Sequence, residues 1–186
     1  KPTDADYEAN CEEARALLAE AGYENGEGFP VVEYLYNTSD AHKAVAEALQ
    51  YMWEEELGVK VTLNNQEWAA FLQTRKDGDY SIARNGWIAD YNDPISFLDM
   101  WMTGGGNNDA QYENEEYDSL IKEAKTTTDV KERMELLHKA EDKIIGEDNA
   151  LAPLYFYTQK YMLADGIEGL YYCPLGYFFF GYTHQA

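Results

Sequence analysis

The chain has 186 residues, long enough for one domain with a proper core, and 45% of them are hydrophobic, which argues against global disorder. Its 14 Lys+Arg against 35 Asp+Glu leave a formal net charge of −21. That balance repels phosphate backbones and anionic membrane surfaces, so nucleic acid is excluded as a natural partner. Sixteen Tyr, 4 Trp and 7 Phe suit either a packed core or a recognition surface.

The predicted elements alternate between helix and strand. After Lys1-Pro2-Thr3-Asp4 the chain is expected to enter a helix at once, over residues 7–21. There Tyr7, Cys11, Ala14, Leu18 and Ala21 recur at helical spacing, and Gly22 supplies the stop. A Gly-rich loop leads to a strand over 31–36. Ser39 or Asp40 caps a second helix whose buried stripe is Val45, Leu49, Met52, Trp53 and Leu57, ended by Gly58. Next come a strand over 59–63, a helix over 67–76, a strand over 80–87 and a helix over 93–102 with Pro94 in its first turn. Two further helices are expected over 114–126 and 129–146. From residue 150 the chain is dense in Tyr, Phe and Leu, with turn signals at Asp165-Gly166 and Pro174, and reads as short strands. The order points to an α/β layer with a mixed or largely parallel sheet, residues 1–150, and an aromatic strand-rich tail, 151–186.

Catalytic signatures are missing. There is no GxSxG, HExxH, P-loop or GxGxxG, and carboxylates are too abundant for any one pair to signal acid–base chemistry. No cofactor is implied. Asp90, Asn92 and Asp93 have the alternation of a calcium loop without its Gly and distal Glu, so no metal site is assigned. Cys11 and Cys173 sit in no CxxC pattern, and the sequence leaves open a disulfide between them. His42, in the first turn of the second helix beside Asn37-Thr38-Ser39, suits a ligand-facing place at a strand end and suits a surface place as well.

The most informative stretch is residues 82–94, Ile-Ala-Arg-Asn-Gly-Trp-Ile-Ala-Asp-Tyr-Asn-Asp-Pro. Arg84 and Asp90 supply opposite charges, and Trp87 and Tyr91 supply apolar walls. Such a set suits a zwitterion at a strand's carboxyl edge. It equally fits an internal Arg–Asp pair packed on a core Trp.

Residues 86–94 resemble the Gly-Trp-x-Ala-Asp-Tyr-x-Asp/Glu-Pro signature of the oligopeptide branch of the extracellular solute-binding proteins, family 5. Leu17-Leu18-Ala19-Glu20-Ala21-Gly22-Tyr23 is similar to the family's Leu-Leu-x-Glu-Ala-Gly-Tyr run. Residues 36–43 are similar to its Tyr-Asn-Thr-Ser-x-x-His-Lys stretch, and Leu57-Gly58-Val59, Asn65-Gln66-Glu67-Trp68 and Thr74-Arg75 follow in order. The resemblance implies one lobe of a type II periplasmic-binding-protein-like fold, in which Asp90 grips a peptide's ammonium and Arg84 its carboxylate. Arg75 and His42 serve ligands of other lengths, and Trp68 and Trp87 line the pocket. It further implies a non-enzymatic, extracytoplasmic component of an ABC importer, periplasmic or lipid-anchored, that hands short peptides to permease subunits. On this reading the chain is a C-terminal lobe without its N-terminal lobe, and the tail, short of its partner, either folds back or pairs with a second copy as a homodimer. Other solutes of the family, sugars or metal chelates, and a carboxylate-pair hydrolase are the alternatives.

Overall fold

The computed structural model describes residues 4–186, with side-chain burial from residue 6 onward. The expected opening at Lys1-Pro2-Thr3 lies outside the described residues. Two compact units divide the chain, one reaching to Asn85 and the other Gly86–Ala186.

The first unit is a parallel α/β layer. Helix α1 (Asp4–Glu20) precedes strand β1 (Val32–Asn37), helix α2 (Asp40–Leu57), strand β2 (Val61–Gln66), helix α3 (Trp68–Asp77) and strand β3 (Ile82–Ala83). The strand order is β2-β1-β3, with both pairings parallel. The register runs from Val32 opposite Val61 to Asn37 opposite Gln66, and Leu35 faces Ala83. β1 is central, and Tyr34, Leu35, Tyr36 and Asn37 are buried in succession. That continuous burial is what a strand covered on both faces requires. Tyr34 and Tyr36 pack with Ala46, Leu49, Trp53, Val59 and Val61, while Leu35 points to the other face, where α3 lies and Phe71 is fully buried.

Helix α2 ends because Gly58 adopts φ +68°, its N–H returning to Glu54 O while Val59 N–H returns to Trp53 O. A Cβ there would land on the carbonyl oxygen of Asn25, so the glycine is required by space as well as by φ. Sequence and structure part at β3. The expected strand over 80–87 is only two residues long, with Arg84 N–H adding one more bond to Leu35 O (2.8 Å). Beyond it the chain leaves the sheet.

The second unit is mainly helical in its first half. A one-turn helix α4 (Ile95–Leu98) runs into a 3-10 turn over Asp99–Trp101. The expected single helix over 93–102 is broken because Ile95, Ser96, Leu98, Met100 and Trp101 are all buried, more than one helical stripe can hold. Helices α5 (Glu115–Thr126) and α6 (Val130–Glu141) pair as a hairpin, capped by Asn114 Oδ1 accepting from Tyr117 N–H and Asp129 Oδ1 accepting from Glu132 N–H. A π-helical turn over Asp142–Glu147 prolongs α6. Their core joins Ile95, Leu98 and Trp101 to Tyr117, Ile121, Leu137 and Ile144. The Tyr117 hydroxyl donates to Leu98 O at 2.6 Å, and burial pushes its pKa well up.

From residue 151 regular structure thins out. Strands β4 (Ile167–Glu168) and β7 (His184–Gln185) pair antiparallel around a second pair, β5 (Tyr171–Cys173) with β6 (Tyr177–Phe179). Tyr172 and Phe178 face each other across that inner pair with ring centroids 5.0 Å apart. Both cysteines are free thiols, Cys11 buried and Cys173 half-buried, so the disulfide left open by the sequence is not made.

Candidate functional site

The sequence-predicted residues fall into the two units. His42, Trp68, Arg75 and Arg84 belong to the first, at and beyond the carboxyl ends of the parallel strands, and Trp87, Asp90 and Tyr91 belong to the second.

In the first unit, β1 ends at Asn37, whose buried side chain accepts from Arg84 Nη1 at 3.4 Å. Thr38 closes the strand end, its N–H and hydroxyl both donating to Gln66 O, with a further hydroxyl contact to Asn65 Oδ1 at 3.0 Å. Tyr36, Thr38, Ser39, Asp40, Lys43 and Asn65 line an open depression of about 300 Å³ there. Its position follows the rule that open parallel sheets bind ligands outside the carboxyl ends of their strands. His42 stands in the first turn of α2. Burial, and then the positive charge of Arg84, lower its pKa from the ordinary 6.5, while a backbone hydrogen bond with Asn37 opposes them. An arriving carboxylate would cancel the effect of Arg84.

Helix α3 presents the other two. Its N-cap is Glu67, whose carboxylate accepts from Ala69 N–H at 2.9 Å and so fixes the first turn. Trp68 is half exposed and stacks on Phe71 at 5.8 Å between centroids. The Arg75 guanidinium lies 5.1 Å over the same Phe71 ring, and its Nη1 donates to Asn85 Oδ1 at 2.9 Å. Phe71 thus orients both from beneath, a role sequence reasoning did not assign. Asn37 and Asn85, which hold the two guanidinium groups, were also missed, although Asn37 sits inside a matched motif and Asn85 directly precedes one.

In the second unit, Trp87 packs on the helical core and buries its indole Nε1, which meets no acceptor among the described residues. Tyr91 is exposed. Asp90 lies on an irregular stretch and is exposed, and its carboxylate makes no hydrogen bond or ion pair among the described residues. The backbone beneath it is held: Asp90 N–H donates to the buried Ser96 Oγ at 3.1 Å, and Asp93 N–H donates to Tyr91 O at 2.9 Å. An unpaired carboxylate on a pinned backbone can take a cation without first breaking an internal contact. Asp93, the third oxygen of the calcium-like alternation, is already committed. Its Oδ1 accepts from Ile95 N–H and from Arg133 Nη2, both at 2.9 Å, and no group of acidic, His or Cys side chains that could hold a metal occurs among the described residues.

The family model described as bacterial extracellular solute-binding proteins, family 5 (middle), matches residues 1–109. The chain belongs to this family. Family members give the same answer across more of the chain. Oligopeptide-binding protein OppA of Bacillus subtilis is 42% identical over 154 residues, which is 82% of this chain and 28% of that protein. Among solved structures, Haemophilus influenzae OppA in complex with the peptide RPPGFSPFR superposes with a TM-score of 0.76 at 37% identity. That match covers 86% of this chain and 31% of the other. The substrate-binding domain of a Bacillus anthracis oligopeptide ABC transporter gives a TM-score of 0.80 at 31% identity, covering 94% and 35%. The chain therefore spans under a third of the length of the curated relatives it matches first. These family members are named for binding and transport, not for turnover.

Proposed function

We propose that this chain is one lobe, with its terminal stretch, of a longer two-lobed binding protein that captures short peptides for an ABC-type importer. In this reading residues 1–150 form the lobe and 151–186 the segment that returns to the other lobe. Asp90 takes the peptide's ammonium, while Arg84, Arg75 and His42 offer N–H donors, the arginines charged ones, for carboxylates of peptides of different length. Trp68, Trp87 and Tyr91 wall the side chains. The observation that carries the reading is the exposed Asp90 carboxylate, without a partner among the described residues, on a backbone pinned by Ser96.

The charges favour a zwitterion over a sugar. A sugar hydroxyl can donate to Asp90 but leaves its charge uncompensated, whereas an ammonium returns both the hydrogen bond and the countercharge. The proposal extends to an extracytoplasmic location and to permease subunits as partners, in keeping with the named relatives. It does not extend to a pairing of two copies through the tail.

The test is native mass spectrometry of the full-length protein purified without added ligand. A co-purifying mixture that fragments as short peptides is expected. A single sugar, bile acid or metal chelate in its place would keep the family and overturn the ligand.

A further inference from the structure

The Asp90 stretch has little regular structure of its own, yet one side chain from far along the sequence reaches it. Arg133 stands in the first turn of α6 and is mostly buried, as is Asp93. Its Nη2 donates to Asp93 Oδ1 at 2.9 Å and its Nε to Ala124 O at 3.1 Å, a carbonyl in the last turn of α5. The same Asp93 oxygen accepts from Ile95 N–H, while Asp93 O accepts from Ser96 N–H at 3.1 Å. Ser96 Oγ in turn accepts from Asp90 N–H. A continuous chain of contacts thus runs from the α5–α6 hairpin through Arg133, Asp93 and Ser96 to the backbone of Asp90.

The guanidinium is suited to this task. Its Nε and Nη2 point in fixed directions, so one group joins a helix-end carbonyl to a carboxylate. A lysine ammonium has no such rigid fork. The hairpin is the best-packed part of the unit, with Tyr117, Ile121, Ala124 and Ala140 fully buried. Anchoring to it transfers that rigidity to a segment that lacks a helix or strand of its own.

We propose that Arg133 is a positioning residue for ligand binding: acting through Asp93 and Ser96, it fixes where the Asp90 carboxylate meets the ligand's ammonium. This rests on the peptide reading above. It makes a distinct claim, because Arg133 touches no ligand and should affect one end of the ligand only.

The experiment uses the full-length protein and two probes, trialanine and N-acetyl-trialanine, with affinities measured by titration calorimetry. The readout is the ratio of the two affinities. Wild type should favour the free amine, and Asp90→Ala should bring the ratio close to one. Arg133→Met should lower the ratio by about tenfold, the scale of one charge-assisted hydrogen bond lost through misplacement, with the acetylated probe bound as before. Arg133→Lys should restore part of it. Asp93→Asn, which keeps the cap on Ile95 N–H, should move the ratio the same way and serves if Arg133→Met does not fold. A wild-type ratio near one sinks the peptide-ammonium reading itself, and this proposal with it. A wild-type preference that survives intact in Arg133→Met, or in Asp93→Asn where only that variant folds, leaves the reading standing and overturns the proposal alone.

Discussion

Residues 95–144 and residues 152–186 are both rich in large apolar side chains, and they use them in opposite ways. In the helical stretch Tyr117, Ile121, Leu137 and Ile144 are buried to 1% exposure or less. In the tail Phe156 is 96% exposed, Met162 97% and Tyr182 86%. The difference lies in spacing. Tyr117, Ile121 and Ala124 recur at four and three along α5, so one stripe meets one partner helix. Tyr155, Phe156 and Tyr157 are consecutive, so in an extended chain their rings point to alternate sides and need cover on both. Apolar content alone does not make a core, and an uncovered area of this kind is what interaction surfaces present.

The contrast can be attacked from its strongest side first. Tyr117→Ala removes a fully buried ring and its hydrogen bond to Leu98 O, and should cost about 3–5 kcal/mol in urea unfolding. Tyr117→Phe keeps the ring and leaves the Leu98 carbonyl without its donor, for about 1–2 kcal/mol. Acid comes next. Hydrogen bonding and charge from Arg133 hold Asp93 below its ordinary 3.8. The folded carboxylate is the poorer proton acceptor, so its contribution is complete above 3.8 and is lost as pH falls through the folded value. Acid titration of unfolding should therefore show a loss below pH 3.8 that Arg133→Met reduces. The smallest effect belongs to the tail, where Phe156→Ser with Met162→Ser should change stability by no more than about 0.5 kcal/mol and lower binding of a hydrophobic dye. A loss comparable to that of Tyr117→Phe would show that the tail has a hidden packed state and would break the comparison.

Most of the fold was legible in the sequence because its elements carry local signals. Gly58 stops α2, Asn114 and Asp129 begin α5 and α6, and the alternation of helix and strand implies the parallel sheet that β1, β2 and β3 form. Two readings overran. The strand pattern over 80–87 could not show that the chain leaves β1 after Arg84, and the helix signal after Pro94 could not show that burial on several sides breaks it at Leu98. The candidate site was half legible. The stretch over 82–94 gave the candidates Arg84, Trp87 and Asp90, each with a chemistry its residue type suggests. The supports were hidden: Phe71 reads as an ordinary core residue, and Arg133 as a surface charge of an amphipathic helix. Its partner lies 40 positions away, and no local pattern encodes a contact at that distance.

The place of β1 in its sheet bears on how the first unit assembles. The middle strand is made first, and both of its neighbours come later, each on the far side of a helix. As these residues leave the ribosome, β1 precedes both of its neighbours in this layer. Its pairing with β2 cannot reward it until α2 has emerged and the loop to β2 has closed, and its pairing with β3 waits until Ile82 and Ala83 arrive. Assembly of this layer should be late and concerted. A chaperone that shields strand edges would find its substrate in the interval between synthesis of Asn37 and synthesis of Ala83.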